Sequence, residues 1–260
     1  MNNNSNKLGN YDLNKIYNED CYQAIKNIPD KSIDLIVTDP PYEWQKGGEM
    51  TGLFRKGVSS RNFMYQIEQA NLDKGIDYSI LDEWVRVMKK INIYIWCNKD
   101  QIYRYMKYFV GEKKCNFEII IWKKTNVTPL CGNKYLTDKE YCLFFREKGV
   151  QILGKYETKN TVYISSLNKE DKDMFEHPNC KPLEIIKNLI INSSIEGGVI
   201  LDTFIGSGTT AIACKELNRN FIGFELDKKY YEIACNRLKG LTQQDVKLQQ
   251  EGQMTLFDEV

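Results

Sequence analysis

Two short stretches carry residue types that could do chemistry. The first is Asp39-Pro40-Pro41-Tyr42, directly after the run IDLIVT. A short apolar, β-branched run reads as a buried strand. Ligands of an open α/β sheet bind outside the carboxyl ends of its strands. Neither proline has an N–H, so the turn offers acceptors: the Asp39 carboxylate and the Pro40 carbonyl. An exocyclic amine has two hydrogens to give. Tyr42 adds a flat ring for a base to stack on, worth ~1–3 kcal/mol. Two fixed acceptors beside an aromatic face suit an enzyme that works on a flipped-out base. The plainer reading is a Pro-rich turn with a surface tyrosine.

The second stretch, Asp202-Thr203-Phe204-Ile205-Gly206-Ser207-Gly208-Thr209-Thr210, again joins a strand to a helix. Its glycines allow a tight turn and close approach of a ligand to the backbone. It lacks the lysine of a phosphate-binding P-loop and the third glycine of a dinucleotide fingerprint. The next strand, FIGFEL, ends in Glu225, where a carboxylate can accept from two ribose hydroxyls. Asp202 is placed to pair with an ammonium. A nucleoside that carries an amino acid fits this set better than a dinucleotide does.

Both stretches need strands to present them. Strand patterns fall at 15–17, 33–38, 91–97, 117–122, 141–146, 199–204 and 221–226, and several are apolar on both parities, as strands covered on both faces are. Helical patterns fall at 21–27, 81–90, 182–195, 209–217 and 228–238. This alternation predicts an α/β, Rossmann-like, doubly wound and mostly parallel sheet of seven strands. With no helix between them, 117–122 and 141–146 predict one antiparallel hairpin strand at a sheet edge. The folded domain then spans 11–240, between a flexible N-terminus (1–10) and a flexible C-terminal tail (241–260). Three long loops, 43–79, 125–138 and 150–176, stand outside the rhythm, and loops of that length are commonly functional.

The 260 residues are 42% hydrophobic and 27% charged, as in an ordinary globular domain. No apolar stretch approaches the ~18 residues of a membrane span, and the polar start MNNNSNKLGN has no signal-peptide core. Eight cysteines without a C-x-x-C pair, and the lone His177, argue against a zinc site and for reduced thiols in a cytoplasmic protein. Net charge is only +1, but residues 99–159 hold 13 Lys/Arg against 7 Asp/Glu. A basic middle on an acidic body fits one face that meets phosphate. Arg55, Lys56 and Arg61 in the first loop, with Lys123, Lys124 and Lys134 around the second, are the candidate DNA contacts.

Taken together, the segments IYNEDCYQAIKNIPDKSIDLIVTDPPY, IIIWKKTNVTP, HPNCKPLEIIKNLI and LDTFIGSGTTAIACKELNRNFIGFELDKKYYEIACNRL resemble the S-adenosylmethionine-dependent amino-methyltransferases of DNA. The match is to the β arrangement, in which D-P-P-Y precedes F-x-G-x-G. One departure is Asn179-Cys180, where relatives more often have Thr-Gln. The resemblance implies that Asp39, Pro40, Pro41 and Tyr42 form the catalytic turn. Phe204, Gly206, Gly208 and Thr209 would line the cofactor, Asp202 its methionine amine and Glu225 its ribose. Asp20, with Cys21 beside it, would accept from the cofactor's adenine amine. His177 and Lys181 would border the methionine end, although His177 could equally cap or pack. Asp39 would stand between cofactor and base. No metal is implied.

The expected reaction is methyl transfer to adenine N6 in double-stranded DNA, as part of a restriction-modification system. Cytosine N4 is the alternative base, since D-P-P-Y leans to adenine and S-P-P-Y to cytosine. A non-catalytic nucleic-acid-binding homologue that supports a partner subunit is the alternative of another class. Short recognition loops suggest a short target or a homodimer. The tail segment Gln253-Met254-Thr255-Leu256-Phe257 resembles the Gln-x-x-Leu-Phe motif by which bacterial replication proteins enter the sliding clamp. A tail packed on its own domain or in a dimer would explain it as well.

Overall fold

In a computed structural model, residues 6–43, 75–127, 133, 135–166, 180–242 and 244–246 are described. The strands are β1 (Lys7–Leu8), β2 (Tyr11–Asp12), β3 (Lys15–Tyr17), β4 (Leu35–Thr38), β5 (Asn92–Cys97), β6 (Asn116–Lys124), β7 (Lys139–Arg146), β8 (Val162–Ser165), β9 (Val199–Asp202) and β10 (Asn220–Phe224). The α-helices are α1 (Cys21–Ala24), α2 (Ile80–Val87), α3 (Ile102–Met106), α4 (Leu183–Ser193), α5 (Thr209–Glu216) and α6 (Lys228–Leu238). Strands β1 and β2 form a small hairpin. The others form one sheet in the order β3-β10-β9-β4-β5-β7-β6-β8. The first five are mutually parallel. Strand β7 runs antiparallel to both its neighbours, and β8 pairs parallel with β6.

Parity explains the core. Every residue of β4 and β5 is buried, because helices cover both faces. Ile93 and Ile95 join a cluster with Trp84, Phe109 and Phe145. Tyr94 and Trp96 join a second, with Phe144, Leu189, Ile190 and Ile200. Helix α2 buries Ile80, Leu81, Trp84 and Val87, the three-to-four spacing of one helical face. Asp20 caps α1 by accepting from the Tyr22 N–H, and Asp227 caps α6 by accepting from the Tyr230 N–H.

The mostly parallel Rossmann-like sheet is as expected, with two corrections. It has eight strands rather than seven, because Val162–Ser165, read as loop, adds β8 outside β6. The antiparallel strand β7 therefore lies inside the sheet, between β5 and β6, rather than at its edge. Helix α3 and the π-helical turn Lys107–Glu112 that continues it are also new. They lie in the basic middle and bury only Tyr105 and Phe109, one turn apart. Because β3, β4, β9 and β10 point the same way, Asp20, Asp39, Asp202 and Glu225 all follow strand ends on one rim.

Candidate active site

Asp39 leaves the end of β4 beside a group of buried charges. The Lys181 ammonium, at the entry to α4, hydrogen-bonds Asp39 Oδ2 and lies 3.2 Å from Glu140 Oε2. The other oxygen of Glu140, Oε1, accepts from Lys124. The Tyr42 hydroxyl donates to Glu140 Oε2 at 3.4 Å. Lys181 Nζ also sits 5.6 Å from the centre of the Tyr42 ring and 5.3 Å from that of Trp96. Asp39 Oδ1, in contrast, is buried and accepts no hydrogen bond among the described residues.

The burial of these groups sets their charges. Burial, and then the Glu140 charge, raise the Asp39 carboxyl, and Lys181 with the Tyr42 hydroxyl only partly offsets this. Burial also works against Glu140, but Lys181 and Lys124 outweigh it and bring its carboxyl down to about 2. Lys181 is likewise penalised by burial and held charged above the ordinary lysine range by Asp39 and Glu140.

The turn itself is pinned from the start of α3. Gln101 Nε2 donates to the Pro41 carbonyl at 3.1 Å, Asn98 Nδ2 donates to the Glu43 carbonyl at 2.5 Å, and Arg104 pairs with Glu43 at 2.8 Å. Among the described residues no donor reaches the Pro40 carbonyl. Asp39 Oδ1 and the Pro40 carbonyl are thus two open acceptors of the turn.

The second half of the site follows β9. Asp202 is 4% exposed and accepts from the Phe204 N–H at 3.1 Å. Among the described residues no lysine or arginine pairs with it. Burial pushes its carboxyl up to about 7, against hydrogen bonds from Thr210 and the Phe204 N–H. The chain then turns through Gly206 (φ 52°) and Gly208 (φ 82°) into α5. A Cβ on Gly208 would lie 3.1 Å from that of Ala234, so both conformation and space favour glycine there. Arg237 of α6 braces the turn, donating to the Ser207 carbonyl at 3.1 Å and to the Thr209 hydroxyl at 3.0 Å. Glu225 Oε2 accepts from the Gly206 N–H and Oε1 from the Asp227 N–H, both at 2.9 Å. Asn18 ties the end of β3 to the Glu225 carbonyl at 2.8 Å. Asp20 Oδ1 accepts from the Tyr22 N–H at 2.9 Å, Cys21 is buried beside it, and the Tyr22 ring meets Phe204 edge-on.

The two halves touch. The Thr38 and Thr203 hydroxyls are 3.2 Å apart, and the Trp84 indole N–H donates to Thr203 Oγ1 at 3.2 Å. Lys181, expected at the methionine end of a cofactor, is bonded to Asp39 and so stands on the border between the halves. Lys123 is exposed at the end of β6. Lys124 turns inward onto Glu140, with 13% of its side chain exposed. Arg55, Lys56, Arg61, Lys134, His177 and the tail residues Gln253, Leu256 and Phe257 lie outside the described residues. Sequence reasoning missed Glu140, Asn98, Gln101 and Arg237. Glu140 alone left a signal: it shares strand parity with Cys142 and Phe144, both buried. Among the described residues there is no cluster of metal-ligating side chains, and no helix is long and apolar enough to cross a membrane.

Known proteins share this arrangement. The chain is similar to the Type II methyltransferase M.HinfI of Haemophilus influenzae, at 30% identity over 87% of this chain and 68% of that protein. It is similar to M2.DpnII of Streptococcus pneumoniae, at 27% identity over 92% of this chain and 98% of that one. Among solved structures, the M1.HpyAVI–SAM complex is 26% identical, with a TM-score of 0.60 over 86% of this chain and 99% of that one. The cytosine-N4-specific PvuII DNA methyltransferase reaches a TM-score of 0.61 at 14% identity over 86% and 85%, a likeness of fold alone. The pattern of the N6 and N4 methyltransferases, described as DNA methylase, matches residues 33–236, a span that contains Asp39, Glu140, Lys181, Asp202 and Glu225, and the chain belongs to that family.

Proposed function

We propose that this chain transfers the methyl group of S-adenosylmethionine to the N6 amine of a flipped-out adenine in double-stranded DNA. The observation that carries the reading is a pair of unmet needs on one rim. Asp202 is a buried carboxylate without a cation, and Asp39 Oδ1 is a buried acceptor without a donor. A buried acceptor left unsatisfied costs about 1–3 kcal/mol, so each position favours a ligand that supplies what it lacks. The ammonium of the cofactor's methionine answers Asp202. The exocyclic amine of a base answers Asp39.

The residues present fit the cofactor. Asp202 would hold the ammonium, Glu225 the ribose, and Asp20 with Cys21 the adenine, while the turn Phe204–Thr209 would line it, with glycine where a Cβ would crowd Ala234. When bound, the cofactor supplies an electrophilic methyl group on a sulfonium. The protein's task is to make a poor nucleophile attack it. The amine's lone pair is delocalised into the ring. Asp39 Oδ1 and the Pro40 carbonyl accept its two hydrogens and draw the nitrogen toward a pyramidal geometry. The negative Asp39 then faces positive charge as it develops on nitrogen. The surplus proton leaves toward Asp39 Oδ1 after transfer. Tyr42 holds the base by stacking, and the rigid di-proline turn fixes the line of attack.

Lys123, with Arg55, Lys56, Arg61 and Lys134, is assigned to phosphate, where contacts position the duplex without reading it. Pairing of two copies, and clamp docking through Gln253, Leu256 and Phe257, belong to the same reading as expectations of the sequence. So does a place in the cytoplasm of a bacterial or phage-infected cell. Cytosine N4 is the second reading, because the PvuII enzyme shares the fold. Duplex DNA methylated by the purified protein, digested to nucleosides and weighed by mass spectrometry, separates the two. N6-methyladenine supports the proposal, N4-methylcytosine replaces it with the second reading, and no methylated nucleoside overturns both.

A further inference from the structure

Among the charges behind Asp39 is a carboxylate, Glu140, that the reaction as written does not use. Glu140 enters from β7, the strand that runs against its neighbours, and is 8% exposed. Its two oxygens are shared out: Oε1 accepts from Lys124, and Oε2 faces Lys181 at 3.2 Å and the Tyr42 hydroxyl at 3.4 Å. Lys181 in turn divides its ammonium between Glu140 and Asp39 Oδ2. We propose that Glu140 is a positioning residue which, by claiming part of Lys181, leaves Asp39 Oδ1 open and electron-rich as the acceptor for the target amine. This rests on the reading of Asp39 given above.

The geometry supports the division of labour. An ammonium with a single carboxylate partner can fold over both oxygens and quench them. With a second carboxylate on its far side it is stretched between the two and occupies one oxygen of each. That is the arrangement found: Oδ2 is taken and Oδ1 has no partner. Lys124 completes the count, since two ammoniums and two carboxylates leave the buried group neutral. Tyr42, the stacking ring, is fastened to the same Glu140, so one residue sets both the acceptor and the platform.

The test follows the Asp39 carboxyl carbon by 13C NMR titration of the full chain, assigned by its loss in Asp39→Asn. The groups that face Asp39 are Lys181, Glu140, Tyr42 and Asp202, with the buried Cys97 and Cys142 thiols held neutral by burial. Glu140→Gln removes a like charge and frees Lys181 for Asp39. Asp39 should then titrate about one pH unit lower or more, and Glu140→Asp should restore most of the shift. At saturating substrates the same Gln variant should lose about tenfold or more in kcat. S-adenosylhomocysteine affinity should stay within twofold.

An unmoved Asp39 titration, or a fall in methyl transfer matched by an equal fall in S-adenosylhomocysteine affinity, would overturn the proposal. Should Glu140→Gln not fold, Lys124→Met gives the opposite sign. Glu140 then pulls harder on Lys181 and Asp39 titrates higher, and no rise contradicts the proposal. A wild-type protein that methylates nothing defeats the reading of the reaction, while the Asp39 titration still decides the role of Glu140.

Discussion

Two aspartates end neighbouring parallel strands of one sheet, and their surroundings differ. Asp39 follows β4 and Asp202 closes β9. Asp39 has a cation, Lys181, on one oxygen and, among the described residues, no hydrogen-bond donor on the other. Asp202 has hydrogen-bond donors but no cation, and its carboxyl is pushed up to about 7. A carboxylate already paired gains little from a cationic ligand but can still accept from a neutral amine. A carboxylate buried alone gains most from a cation. On the proposed reading the two environments suit an ammonium at β9 and a base amine at β4.

Exchanging the charges should separate the halves. Asp39→Asn should lower methyl transfer by about 10²–10³-fold, the loss typical of removing one preorganised electrostatic partner of a transition state. S-adenosylhomocysteine affinity should stay within a few-fold by calorimetry. If affinity falls with the rate, the assignment of the two aspartates is reversed. Asp202→Asn should do the converse, weakening that affinity about 30-fold or more, at the low end for breaking a buried charge pair.

The same change has a second consequence in the ligand-free protein. The Asp202 carboxyl is raised on folding, so its contribution is present below about pH 4 and is lost as pH rises through about 7. At pH 8 the neutral Asn variant should therefore melt above the wild type. A lower melting midpoint there would show that Asp202 is not held at a cost.

Gly208→Ala tests whether shape matters at β9 as charge does. Its left-handed backbone costs a non-glycine residue about 1–2 kcal/mol, and the added Cβ would meet Ala234 at 3.1 Å. The melting midpoint should fall by about 2–4 °C per kcal/mol, and cofactor binding should weaken with it. An unchanged midpoint would mean the turn relaxes freely. The smallest effect is expected outside both halves. Lys123→Ala should weaken binding to every duplex alike and lower the salt slope by about one unit. A change in sequence preference would make Lys123 a reader of bases instead.

How well each half could be read in advance follows from the same contrast. Asp39 and Asp202 were legible because each follows an apolar β-branched run and opens a turn marked by proline or glycine, so strand end and chemistry coincide within a few residues. Glu140 was not, because what makes it matter is distant. Lys181 and Asp39 are 142 positions apart, and Glu140 is 16 from Lys124. Sheet pairing from β4 through β5 and β7 to β6, with the entry to α4 set against it, brings these residues together. Helix α3 escaped because Ile102–Met106 buries a single residue, Tyr105, too little to show a helical period. Strand β8 escaped because its residues are exposed or half-buried, as on an edge with one neighbour. The parallel core was legible for the opposite reason: β4 and β5 are buried throughout, and their composition says so.

The division between a lone and a paired carboxylate is tested most directly by counting protons. S-adenosylhomocysteine carries the same ammonium as the cofactor, and its binding must ionise Asp202. With that carboxyl at about 7, calorimetry in buffers of different ionisation enthalpy should find about half a proton released at pH 7 and close to one at pH 6. The release should vanish in Asp202→Asn and persist in Asp39→Asn. Release that persists without Asp202, or none in the wild type, would contradict the account.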